Sequence, residues 1–181
     1  WKPALDRPRY RWEWTEADAA AEAALAEALR LPRLVARLLV ARGLTTPEEA
    51  HLFLEAGEEA FHDPWSMKGM GEAVERIRKA LRDGERLLVY GDYDADGVCA
   101  SALMIRLLRR LDAAFDVRIP NRLKEGYGLN REAIDRAAED GFRLIVTVDN
   151  GVSAVEEIAY ARERGIDVVV TDHHEPPAVL P

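Results

Sequence analysis

Residues 15–57 carry apolar side chains at helical spacing. Thr15 with Asp18 reads as a capping box ahead of an Ala-rich helix running to about Arg30, which Leu31-Pro32 breaks. Leu34, Val35, Leu38 and Leu39 then share one face, and Gly43 is a natural stop. Thr46-Pro47-Glu48-Glu49 opens a third helix, with an N-cap hydroxyl, a proline at the first helical position and a glutamate at the third. Residues 58–68 are irregular. Helical spacing returns over 71–82 through Val74, Ile77 and Leu81, and Asp83-Gly84 ends it.

The period then changes. The run RLLVYG (86–91) has strand length, and helical spacing follows over 98–111 through Ala102, Ile105 and Leu108. FDVRI (115–119) alternates like a strand. Asn130 caps a helix reaching Gly141, RLIVTV (143–148) is a strand, Ser153 caps a further helix, and IDVVV (166–170) is another apolar strand. Strands alternating with helices of ten or more residues predict βαβ units and a parallel sheet. Strands that are apolar throughout predict helices on both faces of it. The expected fold class is therefore α/β: a doubly wound, mainly parallel sheet over 71–181, preceded by a small helical region over 1–70. No internal repeat or low-complexity linker separates them.

Composition adds bounds. With 181 residues, 48% of them apolar, the chain can bury a sizeable core. No apolar run approaches the roughly 20 residues a membrane span requires. The opening WKPALDRPRYRWEW is charged and aromatic, unlike a signal peptide, and a start at Trp1 leads us to expect missing N-terminal residues. Cys99 stands alone, so no disulfide framework exists and a reducing cytoplasm fits. The net charge of −8, taken alone, argues weakly against a nucleic-acid partner, but carboxylates gathered to bind cations inflate that count.

The carboxylates are indeed gathered. The first strand runs into Asp92, Asp94 and Asp96, the third into Asp149, and the last into Asp172, His173 and His174. In an open parallel sheet, ligands bind outside the carboxyl ends of the strands, so these groups are expected to converge on one edge. A cluster of this charge is costly when empty, and a divalent cation removes the repulsion. Carboxylates with imidazoles suit Mn2+, and Mg2+ as well; the absence of thiolates argues against a structural zinc site. The set exceeds what one ion needs. Two ions sharing a carboxylate, about 3.5–4 Å apart, would activate water for in-line displacement at phosphorus. Asp172 serves equally well as a turn residue or as the partner that orients a histidine.

GDYDADG, VDNG and TDHHEPP resemble the first three motifs of the DHH phosphoesterase superfamily, and the similarity is greatest to RecJ-type single-strand-specific exonucleases. PNRLKEGYGLN (120–130) and LVARLLVARGLTTPEEAHLFL (34–54) also resemble that group, so the likeness covers nearly the whole chain. Small-molecule members usually carry a histidine ahead of the first aspartate pair; Tyr90 and Asp92 stand there instead. The resemblance implies Asp94, Asp96, Asp149 and His173 as metal ligands and catalytic residues. It places Asp92 and His174 in or against that set, with Asp172 behind the histidines. It implies Mn2+ or Mg2+, two ions in a complete enzyme. The implied activity is hydrolysis of single-stranded DNA from its 5′ end, in DNA repair and recombination. Single-strand-binding protein and a helicase are the implied protein partners. RecJ-type enzymes continue into a fourth motif and further domains, whereas this chain stops at EPPAVLP, so it is expected to be an N-terminal fragment, incomplete at its C-terminal end.

In PNRLKEGYG, Arg122 and Lys124 lie between a proline and two glycines after the second strand. Arginine suits bidentate phosphate contacts, and these two are the candidate grip on substrate phosphate. Arg106, Arg109 and Arg110 read as a solvated helix face, Trp12, Trp14 and Trp65 as packing of the helical region, and His51 and His62 as structural or exposed. Two other functions stay open: a small-molecule or short-oligonucleotide phosphodiesterase of the same superfamily, and a non-catalytic replication scaffold that kept the fold.

Overall fold

The computed structural model describes Glu13 and residues 16–121 and 126–181. It forms two compact units, the first ending at Asp63 and the second running from Pro64 to Pro181. The division falls before the boundary expected at residue 70, because the 3-10 turn Pro64–Ser66 packs with the helix that follows it.

The first unit holds α1 (Ala19–Ala28), α2 (Arg33–Val40) and α3 (Pro47–Leu54) around Leu25, Ala36, Leu39, Val40 and Ala50. Asp18 itself caps α1, accepting from the Ala20 and Ala21 N–H groups, instead of serving as the third residue of a box; Thr15 lies outside the described residues. The Thr46 and Glu49 capping box of α3 forms as read, each side chain bonding the other's backbone N–H. The face expected on α2 splits: Leu39 is buried while Leu34 and Leu38 are exposed.

The second unit is a parallel sheet with helices on both faces. It runs α4 (Met70–Asp83), β1 (Leu87–Tyr90), α5 (Ala95–Arg110), β2 (Phe115–Arg118), α6 (Arg131–Glu139), β3 (Leu144–Val148), α7 (Val155–Glu163) and β4 (Asp167–Thr171). The strand order is β2-β1-β3-β4. Alternation sorts β1, β3 and β4 between two cores. Leu87, Val89, Leu144, Val146, Val148 and Val169 meet Ala80 of α4 and Leu108 of α5. Leu88, Tyr90 and Ile145 face the other way, onto Ala133, Ile134 and Ala137 of α6 and Ile158 and Ala161 of α7. Two helix starts differ from expectation. Asp94 caps α5, so the helix begins at Ala95, inside the first acidic motif, and Ala102 faces solvent. The residue before α7 is Ala154, whose methyl cannot cap, so Ser153 does not play that part. Among the described residues no helix is long and apolar enough to cross a membrane.

The amino ends of the strands are clamped by Arg76 of α4. Its guanidinium donates to Asp167 at 2.5 Å, to Glu85 at 2.7 Å and to the Arg143 carbonyl at 3.2 Å. Burial pushes the Glu85 carboxyl up, but the bonds from Arg76 and Lys79 outweigh it and hold it below the ordinary glutamate value. A depressed carboxyl stabilises the fold above its unfolded pKa, and that gain is lost as the pH falls through the folded value. Arg76→Ala should therefore cost about 1–2 kcal/mol at neutral pH. Urea melts of both proteins should show the gap narrowing as the pH drops below the ordinary glutamate range.

Candidate metal centre

The strand order sets the place of the site. From β1 the chain crosses by α5 to β2 on one side, and from β2 by α6 to β3 on the other. The helices lie on opposite faces, so the crevice opens between the carboxyl ends of β1 and β3. Into it run Asp92 and Asp94 from β1 and Asp149 from β3, with Asp172, His173 and His174 arriving from β4 alongside.

Two groups of ligand atoms form there, each within 4.8 Å: Asp92 with Asp94 and Asp149, and Asp149 with His173 and His174. Asp149 belongs to both. Its backbone adopts φ +65°, a conformation rare outside glycine, asparagine and aspartate. Asp92 Oδ1 and both Asp149 carboxylate oxygens are buried and have no hydrogen-bond partner of good geometry among the described residues. His173 Nε2 stands 2.9 Å from Asp149 Oδ1 without the alignment of a hydrogen bond. Buried carboxylate oxygens cost free energy unless something neutralises them. Asp149 registers that cost: burial raises its carboxyl, the Asp94 charge raises it further, and the two histidines offset only part. The donor set is oxygen-rich with two imidazoles, and it fits a hard or borderline divalent ion.

The other expected residues divide by role. Asp94 Oδ1 accepts from the Asp96 and Gly97 N–H groups, both at 3.0 Å, which leaves Oδ2 for the site. The Gly97 N–H, against some burial, leads in holding the Asp94 carboxyl below its usual range. Asp96 falls on the first turn of α5, exposed, and joins neither group; it lines the adjoining cleft with Ala100, Asp149 and His173. Asp172 is engaged in positioning. Its Oδ2 accepts from the Val152 N–H at 2.9 Å, and its Oδ1 meets the His174 N–H at 3.1 Å and the ring Nδ1 at 2.7 Å. That contact raises the His174 pKa. His174, expected in or against the ligand set, thus keeps one ring nitrogen for the site and sits within ligand distance of Asp149 and His173. Arg122 and Lys124 lie outside the described residues.

Sequence reading passed over the residues that set the spacing. Asn150 is wholly buried and donates to the carbonyls of Tyr90 and Val148, tying the ends of β1 and β3 together. It stands inside the quoted VDNG, yet only its burial shows the role. Gly97 permits the start of α5 to lie on Asp92, since a Cβ there would come within 2.7 Å of Asp92 backbone. Tyr90 is also buried, donating at 3.0 Å to the Gly128 carbonyl; it holds the loop after β2 and contributes no ligand.

The profile of the DHH family, N-terminal domain, matches residues 86–181. The single-stranded-DNA-specific exonuclease RecJ of Bacillus subtilis is 48% identical over 96% of this chain and 22% of its own length. RecJ of Escherichia coli is 42% identical over 83% of this chain and 26% of its own. The chain thus spans about a quarter of the length of these relatives. A crystal structure of exonuclease RecJ bound to manganese superposes with TM-score 0.60 at 42% identity, covering 64% of this chain and 30% of that one. RecJ of Thermus thermophilus in complex with Mn2+ gives 0.62 at 29% identity, covering 91% and 22%. The matched span begins just before β1 and takes in all three acidic strand ends, and over it the chain belongs to the DHH family.

Proposed function

We propose that this chain carries the metal-binding domain of a divalent-metal-dependent exonuclease that hydrolyses single-stranded DNA from the 5′ end, in DNA repair and recombination. The observation that carries the reading is Asp149, shared by two ligand groups, with both its oxygens buried and without a well-aligned hydrogen bond among the described residues. Asp92, Asp94 and Asp149 would hold one Mn2+ or Mg2+ ion, and Asp149, His173 and His174 a second. When bound, such a pair activates water and neutralises charge on the scissile phosphate. The chain's own residues do the rest. Asp149 fixes the separation of the two sites, Asp172 orients His174, and Asp94 caps α5 with one oxygen while offering the other. Asp96, beside the cleft, is proposed to act on this site from the α5 side. Arg122 and Lys124 are proposed, on resemblance alone, to grip the neighbouring phosphate. The buried Tyr90 supports this reading over the small-molecule branch, in which a histidine stands ahead of the first aspartates. The proposed surroundings are the cytoplasm, with single-strand-binding protein and a helicase as partners.

The metal reading is tested by stability. An ion that binds only the folded chain stabilises it by about 2.7 kcal/mol at a hundred times its Kd. Thermal melts should therefore rise with millimolar Mn2+. Asn tolerates the left-handed backbone at position 149, so Asp149→Asn isolates the charge. A raised carboxyl destabilises the metal-free fold at neutral pH, so this variant should melt a few degrees higher without metal, where about 1 kcal/mol corresponds to 2–4 °C. It should gain nothing from Mn2+. A wild-type melt indifferent to Mn2+ would count against the site.

The proposed activity is tested in a protein that spans the full length of the relatives. There, His173→Ala should weaken Mn2+ binding and abolish release of mononucleotides from single-stranded DNA. Arg122→Ala should raise KM for DNA while leaving Mn2+ affinity unchanged. Separate titrations of metal and substrate distinguish the two.

A further inference from the structure

The loop after β2 delivers a phenol to the metal centre. Tyr127 Oη lies 3.3 Å from the Asp149 carbonyl and 3.3 Å from His174 Nδ1. The rings of Tyr127 and His174 meet edge to face, with centroids 5.8 Å apart. The segment is anchored from below, where Tyr90 bonds the Gly128 carbonyl and Asn130 Nδ2 donates to the Tyr90 hydroxyl. The backbone bond between the ends of β3 and β4 runs from the Asp149 N–H to the Thr171 carbonyl at 2.9 Å. Tyr127 extends that connection beyond the sheet, from Asp149 to the ring of His174.

The hydrogen bonds have only one consistent direction. A carbonyl oxygen accepts and cannot donate, so the single phenol proton goes to Asp149. The hydroxyl then offers His174 a lone pair. Asp172 Oδ1, at 2.7 Å from the same Nδ1, is also an acceptor. Both partners require the proton on Nδ1, which leaves Nε2 with a lone pair.

We infer that Tyr127 is a positioning residue of the metal centre, whose hydroxyl, oriented by the Asp149 carbonyl, holds His174 in the Nδ1–H tautomer and fixes its distance from Asp149. This inference rests on the metal reading above. It gives the GYG segment a part in building the site.

The test uses the 181-residue chain. Nitrogen-15 spectra of the metal-free protein at alkaline pH, where the imidazoles are neutral, report the tautomer of His174. Nδ1–H with bare Nε2 is expected in wild type, and the opposite tautomer overturns the proposal without any variant. Asp172→Asn should keep the wild-type tautomer because Tyr127 still enforces it, whereas Tyr127→Phe with Asp172→Asn should show a mixture. Equal loss in both variants would assign the tautomer to Asp172 alone and overturn the inference. Tyr127→Phe, which keeps the ring, should weaken Mn2+ binding about tenfold by calorimetry. Unchanged affinity would also overturn it. A wild-type chain that binds no Mn2+ refutes the metal reading instead, and the spectra still decide the part played by Tyr127.

Discussion

Asp149 keeps two buried carboxylate oxygens without a well-aligned hydrogen bond among the described residues, at the end of a central strand and on a left-handed backbone. Few arrangements cost more to a small α/β domain. The neighbouring structure is organised around sustaining it. Asn150, the next residue, commits its amide N–H groups to the Tyr90 and Val148 carbonyls, which holds the ends of β1 and β3 together. Gly97 lets α5 begin on top of Asp92. Gly151, at φ +104°, turns the chain away so that Val152 can donate to Asp172. A strained, under-bonded carboxylate held in place by hydrogen-bonded neighbours is the pattern of a site prepared for a cation.

The sheet makes this possible by separating stability from function. Its two faces are filled by apolar side chains from α4 and α5 on one side and α6 and α7 on the other. Its amino edge is held by Arg76, which bonds Glu85 and Asp167 in the opposite sense to the carboxyl edge: there the acids find an arginine. At the carboxyl edge the described acids find mainly one another and two histidines. Like charges there lose stability that the cores and the Arg76 clamp supply.

The two histidines illustrate how neighbours divide labour between similar residues. His173 is exposed, stands close to Asp149, and is oriented by no hydrogen bond among the described residues. His174 is gripped at Nδ1 by Asp172 and approached by Tyr127. Adjacent in sequence, they differ in what stands behind them, and that difference separates an imidazole free to adjust from one held in place.

Much of this was legible in the chain. Apolar periodicity located all four strands and the helices between them, because the central strands are buried on both faces and each helix on one. The acids and histidines after three strands could be read as one site, because parallel strands must end on a common edge. The Thr46 and Glu49 box was local and therefore visible. What the chain alone left undecided were distances across strands. Asp94 and Asp96 look equivalent two residues apart, yet Asp94 caps α5 and turns inward while the helix carries Asp96 outward. Asp92, read only as in or against the ligand set, is the most deeply buried acid of its motif. Tyr127 and Asn150 carry no signal of their own, since a tyrosine in a glycine-rich loop and an asparagine in a turn are ordinary. They acquire their roles only when the order β2-β1-β3-β4 sets β1 against β3 and brings the loop after β2 to the ends of β3 and β4. That order is settled by how α5 and α6 cover opposite faces of the sheet, a matter of long-range packing that no local stretch of sequence contains.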